Sequence, residues 1–376
     1  MADADKNLIF KYFSDIKEPR ASNRRHKLID MITVSICAVI CGADGYEAIE
    51  EFGNAGYEWF ETFLELPHGI PSHDTIGRVF SQLNPEEFER AFLNRIYEVR
   101  EITGGQVMAT DGKTLRRSYD KSSDKAAIHM VSAWASENRL IPGQIKTEEK
   151  SDEITAIPEL LRLLEIQGCI VTIDAMGAQK EIASQIINKG GDYVLALRGN
   201  QKNLYEDVKL FFEDARQRDF KDIPVSYYEE TDGGHGRVEV RRYRTVEDIG
   251  WLYGKENRKG LNIIGMSESE RHIGDKISIE TRYYISSPEN NAERFGRAIR
   301  GHWGIENSVH WTPDITFRED GSRIRKGYGA ENIAVIRHIA LNMLRNEKSS
   351  KKKSIRLRRL GAGWDNAYLK KVLYSV

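Results

Sequence analysis

The sequence predicts an α/β fold: a mixed β-sheet flanked by helices, with an all-helical N-terminal domain before it and a strand-rich insertion within it. Three observations predict this. Over residues 1 to about 100 apolar residues recur at helical spacing. From about residue 105 the pattern changes to short strand-like runs separated by turn-like polar segments. Helix-like and strand-like segments then alternate as far as Asn200.

The N-terminal elements carry clear boundary signals. "KLIDMITVSICAVICG" is the most apolar segment, yet it contains Asp30 and stops at Gly42, so it reads as a core helix. "GYEAIEEFGNAGYEWFETFLEL" follows with helical periodicity. "GIPSHDTIGRVFSQL" sets a capping residue before a short helix, with Arg78 and Ser81 on its exposed side; it suits either a DNA groove or plain packing. "LNPEEFERAFLNRIYEVREI" opens with Asn84 as N-cap, Pro85 at the first helical position and acids in the first turn.

Three antiparallel strands are expected next, in "QVMATD", "AAIHMVSAWAS" and "NRLIPGQIKTE". The helix "ITAIPELLRLLEIQG", a strand ending at Asp174, the helix "AQKEIASQIINKGG" and the strand "DYVLALRGN" complete the alternation. Residues 201 to about 285 hold a charged helix and then strand-like runs in "RVEVRRYRTV", "GLNIIGMSES" and "TRYYISS", read as an insertion. A helical pattern resumes in "NAERFGRAIRGHWGIENSVHW", and "AENIAVIRHIALNMLRN" is the last helix before a basic tail, residues 348–376. The catalytic domain is therefore expected over residues 101–347.

Composition excludes several classes. The chain has 376 residues, 40% hydrophobic and 30% charged, enough for a sizeable core and more than one domain. No apolar run reaches the roughly 18 residues of a membrane span, and no signal peptide is read at the start, so the cytoplasm is the expected compartment. Cys37, Cys41 and Cys169 lie in apolar runs without a zinc-like spacing and are expected as free thiols. The formal net charge is −1, but "RASNRRHK" and "KSSKKKSIRLRR" contain no acid; each alone reads as a solvated charged stretch.

Two strand ends carry the chemistry. "GGQVMATDGKTLRRS" and "GCIVTIDAMGAQKEIA" each run an apolar strand into an aspartate, Asp111 and Asp174, and then into a small, flexible turn. A lone aspartate there ordinarily caps the next helix or closes an Asx turn. A second copy points elsewhere. In the strand order strand, strand, strand, helix, strand, helix, strand, which is that of a ribonuclease-H-like fold, the first and fourth strands lie side by side. Ligands of such sheets sit outside the carboxyl ends of parallel strands, so both acids meet there.

The segments "DGKTLRRSYD", "TIDAMGAQK", "DYVLALRGNQ", "IRGHWGIENSVHW" and "RIRKG" together resemble the DDE transposases of bacterial insertion sequences, of the ISAs type that includes the H-repeat-associated proteins. The resemblance spans essentially the whole chain. It implies Asp111, Asp174 and Glu306 as catalytic carboxylates and metal ligands, holding two Mg²⁺ or Mn²⁺ ions. Where related transposases carry a tyrosine, an arginine and a lysine around the glutamate, this chain has Ile299, His302 and Pro313, with paired His302–Trp303 and His310–Trp311 instead. Lys113, Arg116, Arg117, Arg198, Asn200, Gln201, Arg300, His302, Trp303, His310, Arg325 and Lys326 are the candidate DNA contacts. His235, among glycines, reads as a turn residue.

The implied chemistry suits these residue types. Attack on a phosphodiester builds negative charge on its non-bridging oxygens, which paired divalent ions offset, and hard cations prefer oxygen ligands. Family resemblance implies cleavage at the ends of an insertion sequence and strand transfer into target DNA. The resemblance also implies double-stranded DNA as the partner, with a homodimer on it as one arrangement, and association with the nucleoid. A transposase-derived DNA-binding protein without transposition and a ribonuclease-H-like nuclease are the alternatives. Among the later acids, periodicity favours Glu306: Asp314 follows Pro313, read as past the helix end, and Glu319 and Asp320 read as solvated turn residues.

Overall fold

The computed structural model describes residues 13, 15–21, 24–99, 106–115, 118, 127–137, 139–147, 153–234, 236–305, 309, 311–350 and 352–375. Its N-terminal part is helical: α1 (Leu28–Cys41), α2 (Tyr46–Ala55), α3 (Tyr57–Phe60), α4 (His73–Gln82) and α5 (Pro85–Val99). The caps are those the sequence announces. Ser72 caps α4 by accepting from Thr75 N–H, and Asn84 Oδ1 accepts from Glu86 and Glu87 N–H ahead of α5. Helix α1 is buried on nearly every side, and Asp30 survives there because Oδ2 accepts the Leu66 N–H at 3.1 Å.

The sheet follows as β1 (Val107–Thr114), β2 (His129–Ala135), β3 (Leu140–Thr147), β4 (Ile170–Ile173) and β5 (Asp192–Leu197), with α6 (Glu153–Leu163) and α7 (Lys180–Asn188) on the crossovers. Strands β1, β4 and β5 are parallel neighbours, and β2 and β3 run antiparallel on the outer side of β1. Then come α8 (Lys202–Gln217), β6 (Ser226–Gly234), β7 (Arg237–Val246), β8 (Ile263–Ile273) and β9 (Lys276–Ser286).

The insertion does not form a separate body. Strand β9 pairs antiparallel with β5, so all four late strands extend one nine-stranded sheet in the order β3-β2-β1-β4-β5-β9-β8-β7-β6. Three of these late strands are readable in the sequence. Strand β6 is not, because its residues alternate between partly buried and exposed and end in glycines.

Helix α9 (Ala292–Ile305) lies across one face of the sheet, over Val107, Ile170, Val194, Tyr243 and Tyr284. Its approach is set by glycine. A Cβ on Gly301 would stand 2.8 Å from Val107 Cγ1, and one on Gly296 would stand 2.8 Å from Tyr243 Cδ2. The other face carries the large core. Helices α10 (Thr312–Phe317), α11 (Gly329–Asn346), α12 (Ile355–Trp364) and α13 (Asn366–Leu373) end the chain.

Two expectations are corrected here. Ser81 is buried, its hydroxyl turned back to Arg78 O at 2.8 Å, so only Arg78 of that pair faces outward from α4. The basic C-terminal segment is no loose tail. Arg358 donates to the carbonyls of Leu344 and Glu347, and Arg359 to those of Val39 and Ile40, satisfying carbonyls at helix ends. Cys37, Cys41 and Cys169 are free thiols, as expected.

Candidate active site

Parallel pairing brings the two aspartates together. The β1–β4 ladder ends at Thr110 opposite Ile173, and the next residues are Asp111 and Asp174. Neighbouring strands lie about 4.8 Å apart, so both residues leave the ladder at one place. Strand β1 continues past Asp111 to Thr114, held only by β2, which is three residues beyond the end read from sequence. Each carboxylate also fills the ordinary role of its kind. Asp111 Oδ1 accepts from Gly112 N–H at 2.8 Å, and Asp174 Oδ1 accepts from Met176 N–H at 3.0 Å, capping a 3₁₀ turn at Ala175–Gly177.

Asp174 opens onto a cavity of about 460 Å³ whose wall includes Arg198, Tyr205, Arg282, His302 and Trp303. His302, on α9, sets Nδ1 3.1 Å from Thr172 Oγ1. Burial holds the His302 imidazolium below its usual range, against the pull of the Asp174 carboxylate, so the ring stands neutral at neutral pH. Arg282 stacks its guanidinium 4.7 Å above the Trp303 ring.

The remaining candidates divide. Arg198 is exposed on the cavity wall. Asn200 donates to Ala175 O at 2.5 Å and Gln201 donates to Ala178 O, so these amides brace the turn behind Asp174. Arg300 is exposed, 3.4 Å from Glu230 and 3.6 Å from Asp232. Arg325 and Lys326 lie between α10 and α11, away from the cavity wall. Arg116, Arg117, Glu306 and His310 lie outside the described residues, as does His235.

Lys113 is placed differently from its reading as a phosphate contact. Its ammonium lies 2.6 Å from Asp314 Oδ1 and 2.7 Å from Glu319 Oε2. That pairing corrects two further expectations. Glu319 is buried rather than solvated, and Pro313 stands in the first turn of α10 instead of beyond helical structure. Helix α9 is described as far as Ile305.

Comparison with known proteins now decides the family. The family described as "Transposase DDE domain" matches residues 102–343, and the one described as "DDE_Tnp_1-associated" matches residues 10–95. The chain belongs to the DDE transposase family. Two relatives carry provisional transposase names. YncI of Escherichia coli O157:H7 is 40% identical over 98% of this chain and 94% of its own. The H repeat-associated YhhI of Escherichia coli (strain K12) is 42% identical over 93% of this chain and 92% of its own. A solved piggyBac transposase synaptic complex with hairpin DNA aligns with 99% of this chain and 82% of its own, at 12% identity and a TM-score of 0.43.

The chain is thus a DNA transposase, an enzyme of a family that uses divalent metal ions. The described donors suit such ions: two carboxylates from adjoining strands, with Asp174 Oδ2 accepting no hydrogen bond among the described residues. No group of three metal-ligating side chains occurs among the described residues. Among those residues, too, no single helix of the transposase is long and apolar enough to cross a membrane. Sequence reasoning missed Arg282 and Tyr205 on the cavity wall. For Arg282 the interleaved "TRYYISS" is the signal, but on its own that run reads only as a strand.

Proposed function

We propose that the transposase cleaves DNA at the ends of an insertion sequence and joins the released 3′-hydroxyl to target DNA. The observation that carries this reading is the register that sets Asp111 and Asp174 at adjoining carboxyl ends of parallel β1 and β4. The strand order β3-β2-β1-β4-β5 supports the finer reading of this part as ribonuclease-H-like, with the N-terminal helices as an associated domain.

Asp111, Asp174 and Glu306 would hold two Mg²⁺ or Mn²⁺ ions, which when bound activate the attacking oxygen and offset charge on the phosphate. The chain's own residues do the rest. Met176 N–H fixes the Asp174 carboxylate, Asn200 and Gln201 brace the turn behind it, and Arg198 meets phosphate at the cavity mouth. Neutral His302 offers a hydrogen bond without adding charge. The DNA is bound as element ends and as target, by a homodimer at the nucleoid.

The test is cleavage of a duplex carrying an element end with Mg²⁺. Asp111→Asn or Asp174→Asn removes a charged ligand at constant shape and is expected to lower cleavage by about 10³-fold while DNA binding persists. Undiminished cleavage by either variant overturns the assignment.

A further inference from the structure

Beside the Asp174 cavity lies a second one, of about 270 Å³, on the sheet face of β7, β8 and β9. Five arginines line it: Arg237, Arg241, Arg271, Arg282 and Arg300. Strand alternation puts them there. Glu239 pairs across the ladder with Arg271, Arg241 with Ser269, and Arg282 with Ser267, so the four strand arginines project from one face, and Arg300 joins them from α9.

Buried Glu239 sits at the centre of this cluster. It lies 2.8 Å from Arg241, 3.5 Å from Arg237 and 3.7 Å from Arg271. One carboxylate does not neutralise three guanidiniums. Glu280 holds Arg282 at 2.8 Å, while Glu230 and Asp232 hold Arg300, and with all four acids counted positive charge remains in excess. Arg241, with its side chain 7% exposed, keeps a buried Nη1 without a hydrogen-bond partner among the described residues, and its other acid, Glu230, stands 3.8 Å away. An unmet charged donor in a buried position is costly, and an anion relieves it. Arg237 and Arg271 are open to solvent on the same face, with side chains 47% and 44% exposed.

We propose that this cavity is a phosphate site that holds the backbone of the DNA strand running past Asp174. The proposal rests on the function proposed above and adds a binding site to it. Continuity selects a nucleic-acid strand over a free anion. Glu280, Arg282, Tyr284, Ile299 and Trp303 form the shared wall of both cavities, with Glu280 paired to Arg282, so a chain of phosphates leaving Asp174 passes Trp303 and meets Arg237 and Arg271 next. Arg282, stacked on Trp303, stands at the junction of the two cavities, and guanidiniums take phosphate oxygens in a fork.

The test uses the full chain and a labelled single-stranded oligonucleotide, titrated over a sodium chloride series. Arg237→Gln with Arg271→Gln is expected to weaken binding about tenfold. It is also expected to lower the logarithmic salt slope by about 0.7 for each phosphate the site no longer holds. Arg218→Gln with Lys221→Gln, exposed just after α8 on a different surface, serves as the matched removal of two charges and leaves the slope in place. Circular dichroism confirms that the variants are folded. Inorganic phosphate at matched ionic strength separates the two sources of phosphate: competition that disappears in the double variant supports the site. A salt slope equal to that of the unaltered protein overturns it. Cleavage by Asp174→Asn is read separately: its persistence removes the proposed catalytic role without touching the slope.

Discussion

Lys113 shows how one residue changes meaning between sequence and fold. Two positions after Asp111, it shares that residue's side of β1 and looks like a phosphate ligand. In the fold its ammonium is closed between Asp314 and Glu319. Burial alone would push the Glu319 carboxyl up, but Lys113, Arg337 and His338 outweigh it and hold it below its usual range. The turn "REDGS" was legible as a turn; its burial was not, because Arg337 and His338 arrive from α11, outside any local pattern. The consequence is measurable. Lys113→Met leaves Glu319 charged and buried without its ammonium, and about 3 to 5 kcal/mol of stability is expected to be lost in urea unfolding. Asp314→Asn, at a side chain 27% exposed, is expected to cost about 1 kcal/mol. Equal small losses would show that Lys113 is not what neutralises Glu319.

At the scale of elements, the site depends on how closely α9 lies on the sheet. The helix was legible from its period. What it packs against was not, since those residues come from strands distant in sequence. The role of its glycines was hidden as well. Gly296 and Gly301 read as weak helix formers, yet they are the points where Tyr243 and Val107 touch the helix backbone. Gly301→Ala sets a methyl group against Val107, a β-branched side chain within a strand that cannot swing aside. Overpacking of this kind is expected to cost about 1 to 3 kcal/mol, although alanine favours a helix. Because α9 also carries His302 and Trp303, cleavage by Gly301→Ala is expected to fall further than DNA binding. A stabilised, fully active Gly301→Ala protein would show that the helix has room to spare.

For the whole molecule, the order of β1 to β5 was readable because the alternation of strands and helices leaves few right-handed arrangements, whereas the extension of that sheet by β9, β8, β7 and β6 was not. What joins the ends of the chain was not readable, since it lies in contacts between segments far apart in sequence. Helix α11 is buried along nearly its whole length against α1, α4, α5 and β3. Asn332 donates from it to the carbonyls of Phe80 and Leu83, and Asn342 donates to that of Ile141. This shared core buries His338, whose Nδ1 has no hydrogen-bond partner among the described residues, beside Glu319, Lys113, Arg337 and Arg345. Burial is the main cause that lowers its pKa to about 4, with Lys113, Arg345 and Arg337 adding to it and Glu319 opposing. The sign of the pH dependence follows. A histidine titrates near 6.5 when unfolded, so above that pH both states are neutral and His338 imposes no penalty. As pH falls from 6.5 toward 4 the unfolded chain takes up a proton that the fold refuses, and stability is lost through that window. The loss attributable to this residue reaches up to about 3 kcal/mol. Urea midpoints measured at pH 7 and pH 4 check it: His338→Asn is expected to lose less stability on acidification than the unaltered protein. Parallel losses would place the acid sensitivity in the carboxylates instead and leave His338 without a part in it.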